Sequence, residues 1–201
     1  MDDERSSFFF VTIDAMKEIL FATTNARKII EANGTLATFH IRTMPISIEI
    51  DEIQHHDPAV ITKAKARAAY AVLQQPVVVS DTSWDVPALG GFPGGYMKDV
   101  AAWWSEDDWL SVMARHDNKA IYCLEHLAYF DGKNLQHFSQ VYTGTFLAEA
   151  RGPAVNPAES FERVISLNGT ESLTEQVENG NFDIQTLGHW VQLAQWLNSQ
   201  D

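Results

Sequence analysis

One cysteine, Cys123, stands in a chain of 201 residues. No disulfide can close within the chain, and no cysteine-rich zinc site is available. Alternation around Cys123 reads as a strand, with the thiol buried rather than nucleophilic. Long apolar runs are also lacking, and none approaches the roughly 20 residues that span a bilayer. Phe8-Phe9-Phe10-Val11 is too short for a leader core and follows the acidic Asp2-Asp3-Glu4. Basic residues are scarce: 14 Lys and Arg against 27 Asp and Glu, a formal net charge of −13. A groove tracking long nucleic acid should be basic, so neither nucleic acid nor membrane is an expected partner, and the expected compartment is the cytoplasm. The acidic balance leaves room for a small phosphorylated ligand. A few local lysines, helix N–H groups and a divalent cation suffice to offset its charge.

What is present is core material. Hydrophobic residues make up 45% of the chain, with six Trp and eleven Phe, enough for a full core. Residues 1–15 read as an N-terminal extension and 16–201 as a single domain of two lobes. Glu18 to Ala22 reads as a strand that turns at Thr23-Thr24-Asn25 into a helix carrying Lys28. Residues 36–50 suggest strands. Asp57-Pro58 opens an Ala-rich helix to Leu73, and Pro76 to Val79 is the clearest buried strand. Ser105-Glu-Asp-Asp108 is a helix start. Residues 120–130 and 135–148 pair across the Asp131-Gly132-Lys133-Asn134 turn. Phe182 to Leu197 forms a terminal helix with Leu187, Trp190, Val191, Ala194 and Leu197 on one face. The mixture predicts an α/β fold around a mixed sheet.

Four segments carry chemistry. In Phe21-Ala-Thr-Thr-Asn-Ala-Arg-Lys28 a strand runs into a polar turn that opens a helix. Its exposed N–H groups, the side chains of Thr23, Thr24 and Asn25, and the Lys28 ammonium suit an anion. Asp51-Glu52-Ile53-Gln54 places carboxylates between two elements, where they either hold magnesium or partner a helix dipole. Pro76 to Trp84 delivers Asp81 to the C-terminal end of a buried strand, where α/β sheets bind ligands. Ala88 to Lys98 sets four glycines around Pro93, with Tyr96 and Lys98 at the exit as a stacking face and a cation.

These segments, in this order, resemble the inosine triphosphate pyrophosphatase family. Its T-G-N-x-x-K turn stands here as Thr23-Thr24-Asn25-Ala26-Arg27-Lys28, with Thr for Gly. Glu52-Ile53-Gln54, Lys65-Ala66-Arg67-Ala68-Ala69, Pro76 to Thr82 and Leu89 to Lys98 match the family's later segments. The resemblance implies an elongated mixed sheet flanked by helices, two lobes with a central cleft, and a homodimer. It further implies hydrolysis of a nucleoside triphosphate, a non-standard purine one, to monophosphate and pyrophosphate with Mg2+ as cofactor. Glu52 and Asp81 would hold the metal, and Asp81 would orient or deprotonate the attacking water. Thr23, Thr24, Asn25, Lys28, Lys65 and Lys98 would bind the phosphates, and Trp84, Tyr96 and Phe161 are candidates to stack the base.

The departures from the pattern lie at two places. The family has two adjacent acids at the end of the central strand; the first is Ser80 here. Its G-[FYW]-D-P segment reads Ser160-Phe161-Glu162-Arg163, and its late S-H-R triplet has no counterpart in Ile184 to Gly188. His189 nearby reads as an ordinary helix residue. The triphosphate end is retained and the base end rewritten. Two alternatives stay open: a nucleotide-binding protein on the same scaffold with weakened or lost catalysis, and a related pyrophosphatase acting on a modified pyrimidine or another phosphorylated small molecule. Met16-Lys-Glu-Ile-Leu20 resembles the family's usual N-terminus. Deleting residues 1–15 is therefore expected to leave melting temperature and activity unchanged; a large loss of melting temperature would refute this.

Overall fold

Val77-Val78-Val79 are all fully buried, which requires cover on both faces of the strand they form. In the computed structural model, which describes residues 16–153, 157–181 and 187–200, they open β3 (Val77–Asp85). The sheet runs β2 (Ile41–Ile46), β1 (Lys17–Ala22), β3, β5 (Ala120–Phe130), β6 (Leu135–Phe146), β7 (Ile165–Ser166), with β4 (Pro93–Gly94) added to β3. β1 pairs parallel with β2 and β3, and the remaining pairings are antiparallel. It is a mixed sheet flanked by helices, as read from the sequence.

Alternate residues of the strands feed two opposed cores. On one face Phe21, Val78 and Leu127 meet Ala32 and Leu36 of α1 (Ala26–Leu36) and Trp190, Leu193 and Leu197 of α6 (Gly188–Asn198). Phe21 and Trp190 pack edge to face, their ring centres 5.1 Å apart. On the other face Val77, Val79 and Ala128 meet Ala66 and Ala69 of α2 (Pro58–Leu73), small residues that let the helix lie close to the sheet. Farther along β3 and β5 a third cluster gathers Trp84, Cys123, Phe161 and Ile165 with Val100 of α3 (Met97–Trp103), Trp109 of α4 (Glu106–Met113) and Leu173 of α5 (Leu173–Glu178). Asp57 and Ser105 cap α2 and α4, Ser105 within a reciprocal capping box with Asp108.

Several expectations are corrected. Residues 36–40 finish α1 and make a short 3-10 turn, and only Ile41–Ile46 is strand. β3 does not end near Val79: β5 continues as its antiparallel partner and carries the ladder through Asp81 to Asp85. Asp81 instead lies just past the point where the parallel partner β1 stops, at Val78. The terminal helix begins at Gly188; residues 182–186, where its earlier start was placed, lie outside the described residues. Its inner face uses Leu193, and Val191 is half-buried. His189 lies on the terminal helix, as read; it is buried, and its Nδ1 has no hydrogen-bond partner among the described residues.

Trp190 closes the α6 face, so Trp190→Ala is expected to cost about 3–5 kcal/mol, read by urea denaturation. Three histidines make stability pH-dependent. His126 Nδ1 lies 3.1 Å from His137 Nε2. Burial lowers all three: His126, His137 to about 4 with the neighbouring His126 charge adding to it, and His189 to about 3 with Lys28 adding to it. As pH falls below the ordinary value of 6.5, the unfolded chain takes up protons that the folded chain refuses. Stability is therefore full above 6.5 and declines toward pH 4. Melting temperature should fall across that window, and less steeply in His137→Gln.

Candidate active site

Between the α1 face and the third apolar cluster lies a cavity of about 400 Å³. Its wall includes the start of α1, the middle of β3, α3, the strands β5 and β6, and the segment around Phe161, with Leu167, Leu173 and Leu187 adding apolar surface. Asn25 caps α1 by accepting from the N–H groups of Arg27 and Lys28, while the Thr23 hydroxyl accepts from the Asn25 N–H. No acid stands in the first turn of this helix, so its positive end is not neutralised from within. Lys28 lies on the cavity wall beside Asn25, and Lys98 enters from the first turn of α3.

Lys65 approaches from α2 and pairs with Glu52 at 2.6 Å. Burial alone would raise the Glu52 carboxyl. The hydrogen bond and charge of Lys65, joined by the charges of Lys98 and Lys28, outweigh burial and hold it below its ordinary value. Three lysines from three helices thus bear on one carboxylate. Asp81 lies on the same cavity wall as Lys28 and Lys98, with one carboxyl oxygen accepting from the Thr82 N–H at 3.1 Å. Among the described residues no group of three or more His, Cys, Asp and Glu could hold a metal by itself. Glu52 and Asp81, the acids the sequence assigns to a metal, offer oxygen donors. That set suits magnesium, which takes one or two carboxylates and fills its octahedron with water and phosphate oxygens.

The structure brings Asn25, Lys28, Asp81, Trp84, Lys98 and Phe161 onto one cavity, with Glu52 and Lys65 joined to it through their charges. Thr23 stands behind Asn25 as its acceptor, and Thr24 is exposed. Tyr96 lies off the cavity wall, 46% exposed ahead of α3. Trp84 and Phe161 pack edge to face on each other, 5.1 Å between ring centres, and Phe161 is 1% exposed. Ser80 is buried, and its hydroxyl has no partner among the described residues. Cys123 also borders the cavity, but burial and then the Glu125 charge push its thiol up, which suits a packing residue and not a nucleophile.

Sequence reasoning did not single out Arg27, Thr82, Glu125 and Tyr142, all on the cavity wall. Arg27 lies inside the quoted turn motif, where it reads as an arbitrary position. Its guanidinium pairs with Glu31 one turn on and with Glu162, both at 3.0 Å. Glu125 had one available signal: a carboxyl at an inward strand position, between Cys123 and Leu127.

The comparisons with known proteins converge on this region. The family model described as the Ham1 family matches residues 19–156. A dITP/XTP pyrophosphatase of Hyperthermus butylicus is 31% identical over 134 residues, 67% of this chain and 70% of the relative. An inosine triphosphate pyrophosphatase of Tuber melanosporum is 28% identical over 137 residues, 68% of this chain and 74% of the relative. The solved HAM1 protein of Coxiella burnetii superposes with a TM-score of 0.70 at 18% identity, over 92% of this chain and 100% of that one. The family match takes in the Asn25 turn, the Glu52–Lys65 pair, Asp81 and the glycine loop, and it stops before Phe161, Glu162 and α6. With both the matched core and the shared sheet in place, this chain belongs to the Ham1 family.

Proposed function

We propose that the chain hydrolyses a nucleoside triphosphate to the monophosphate and pyrophosphate, as the names of its relatives state for them. The observation that carries this reading is the convergence of Lys28, Lys65 and Lys98 on Glu52, beside Asp81 on the cavity wall. A triphosphate brings three to four negative charges, which an acidic protein can hold only where cations are concentrated. Asn25, Lys28 and Lys98 bind the phosphates, with the open end of α1 adding its N–H dipole. Thr23 and Thr24 shape that turn, and Lys65 turns from Glu52 to phosphate.

Asp81 orients a water and takes its proton as the water oxygen attacks the α-phosphorus. The bond from that phosphorus to the bridging oxygen breaks, and pyrophosphate leaves with its charge held by the lysines. Glu52 and Asp81 would hold magnesium, which when bound would supply charge neutralisation at the phosphates. Trp84 and Phe161, packed edge to face on each other, border the space left for the base. As in the sequence reading, the chain works as a homodimer, and a monomeric mass in light scattering would remove that part.

A second reading, nucleotide binding without turnover, draws on Ser80, where an acid is replaced by an uncharged hydroxyl. One experiment separates the two: pyrophosphate release with magnesium across ITP, XTP, dUTP and the common triphosphates. Asp81→Asn is expected to lower kcat about 100-fold or more, and Lys28→Ala to raise KM about tenfold. No release from any triphosphate, with binding still seen by calorimetry, would favour the second reading.

A further inference from the structure

Lys28 and Lys98 reach the cavity from parts of the fold that pack separately. α1, which carries Lys28, packs on β2 and α6, and its Ala32 and Leu36 belong to the core of Phe21 and Trp190. α3, which carries Lys98 in its first turn, packs on the 3-10 helix Pro157–Arg163. Val100 of α3 and Phe161 of that 3-10 helix belong to the other aromatic cluster, around Trp84 and Trp109. A ligand that touches both lysines therefore depends on how these two parts stand to each other.

A side-chain bridge spans the cavity between them. Arg27, the residue before Lys28, directs Nη1 at both oxygens of Glu162, 3.0 and 3.3 Å away. Each partner is anchored on its own side. The Arg27 Nε donates to Glu31 one turn along α1, at 3.0 Å, and the planar fork of the guanidinium turns its other edge to Glu162. Glu162 stands in a fastened segment. Ser160 donates to the Trp104 carbonyl at the end of α3, Phe161 is buried, and Arg163 pairs with Glu106 of α4 and donates to the Gly152 carbonyl.

Stability does not account for the bridge, since a part-buried pair of this kind adds little to folding. Ligand charge does not account for it either. Glu162 lies on the wall of a cavity whose lysines gather an anion, and its own charge works against that anion. What the acid does there is hold Arg27, and through Arg27 the start of α1.

We propose that the Arg27–Glu162 pair is a strut across the cavity, a positioning pair that sets Lys28 against Lys98 so that both reach one polyphosphate. In this role it acts through the two lysines. The inference rests on the pyrophosphatase reading for the placing of phosphates at those lysines. A polyphosphate has to meet both cations at once, whereas inorganic phosphate is served by either one, so only the longer anion senses their separation.

The deciding variant is Glu162→Gln, for which a strut and a simple charge effect have opposite signs. Removing an acid from the cavity wall would by charge alone tighten the binding of any anion. With the strut lost, tripolyphosphate with magnesium should bind at least about threefold more weakly by calorimetry. Inorganic phosphate, read by its competition with tripolyphosphate, should change less than about twofold. Melting temperature should move by less than about 4 °C. Arg27→Lys keeps the charge but not the fork. It should weaken tripolyphosphate in the same direction, and added to Glu162→Gln it should cost less than about twofold more. Should Glu162→Gln not fold, Glu162→Asp keeps the charge, falls one methylene short and carries the same expectation. A smaller loss or tighter binding of tripolyphosphate, an equal loss for inorganic phosphate, or full additivity of the two substitutions overturns the strut. Tripolyphosphate that fails to bind the unsubstituted protein removes the phosphates from the lysines, and the strut with them. Binding without pyrophosphate release from any nucleoside triphosphate would instead sink the pyrophosphatase reading alone, and the tripolyphosphate comparison would still decide the strut.

Discussion

The ladder between β3 and β5 is the constraint on which the rest of the structure depends. It pairs Val77 with Phe130 and continues without a break to Asp85 and Tyr122. Its first half is buried between α1, α6 and α2, and its second half enters the aromatic cluster of Trp84, Trp109 and Phe161. Asp81 and Thr82 lie between those halves, where β1 has stopped and the sheet opens into a cavity. An unbroken ladder on the β5 side and a missing neighbour on the other side produce both properties a site needs: rigid placement and access. Shortening β3 at Val79 would have kept the access and lost the placement.

The cavity is held together across its width by charge. Arg27 on α1 reaches Glu162 in the segment packed against the aromatic cluster. It is desolvated, and Glu162 and Glu31 restore the protonated form that desolvation opposes. Such a pair adds little net stability, because the cost of desolvation offsets its attraction. Its structural consequence is geometric: it fixes where the start of α1 stands relative to Phe161. Lys28 on α1 and the Trp84–Phe161 ring pair thereby keep one separation.

The parts legible in the sequence are those dictated locally. Asn25 as the cap of α1, Asp57 at α2, the Ser105 box and the hairpin at Asp131 each follow from a few adjacent residues, and each is found as read. The mixed sheet and the meeting of Lys28, Asp81 and Lys98 follow from segment order and from the resemblance. What was not legible depends on pairing between distant strands. The extension of β3 through Asp85 requires β5, and the inward placing of Glu125 requires the register of β5 against β3. Tyr96 and Trp84 looked equivalent as aromatics near the glycine loop. Only the packing against Phe161 distinguishes the buried Trp84 from the exposed Tyr96. On α6 the face read as Leu187, Trp190, Ala194 and Leu197 is buried, with Leu193 fully buried beside it and Val191 only half-buried at its edge.

Substitution at Ser80 and retention of a carboxyl at Glu125 bear on one question, where negative charge is tolerated near the cavity. An acid at position 80 would add to Asp81 on the same strand and strengthen a metal-directed set. With serine there, Glu52 faces the charges of three lysines, and Asp81 shares the cavity wall with two of them. Glu125 sits across the ladder from Thr82, two residues on from Ser80. There burial opposes its ionised form, and the charges of Lys28 and Arg27 favour it.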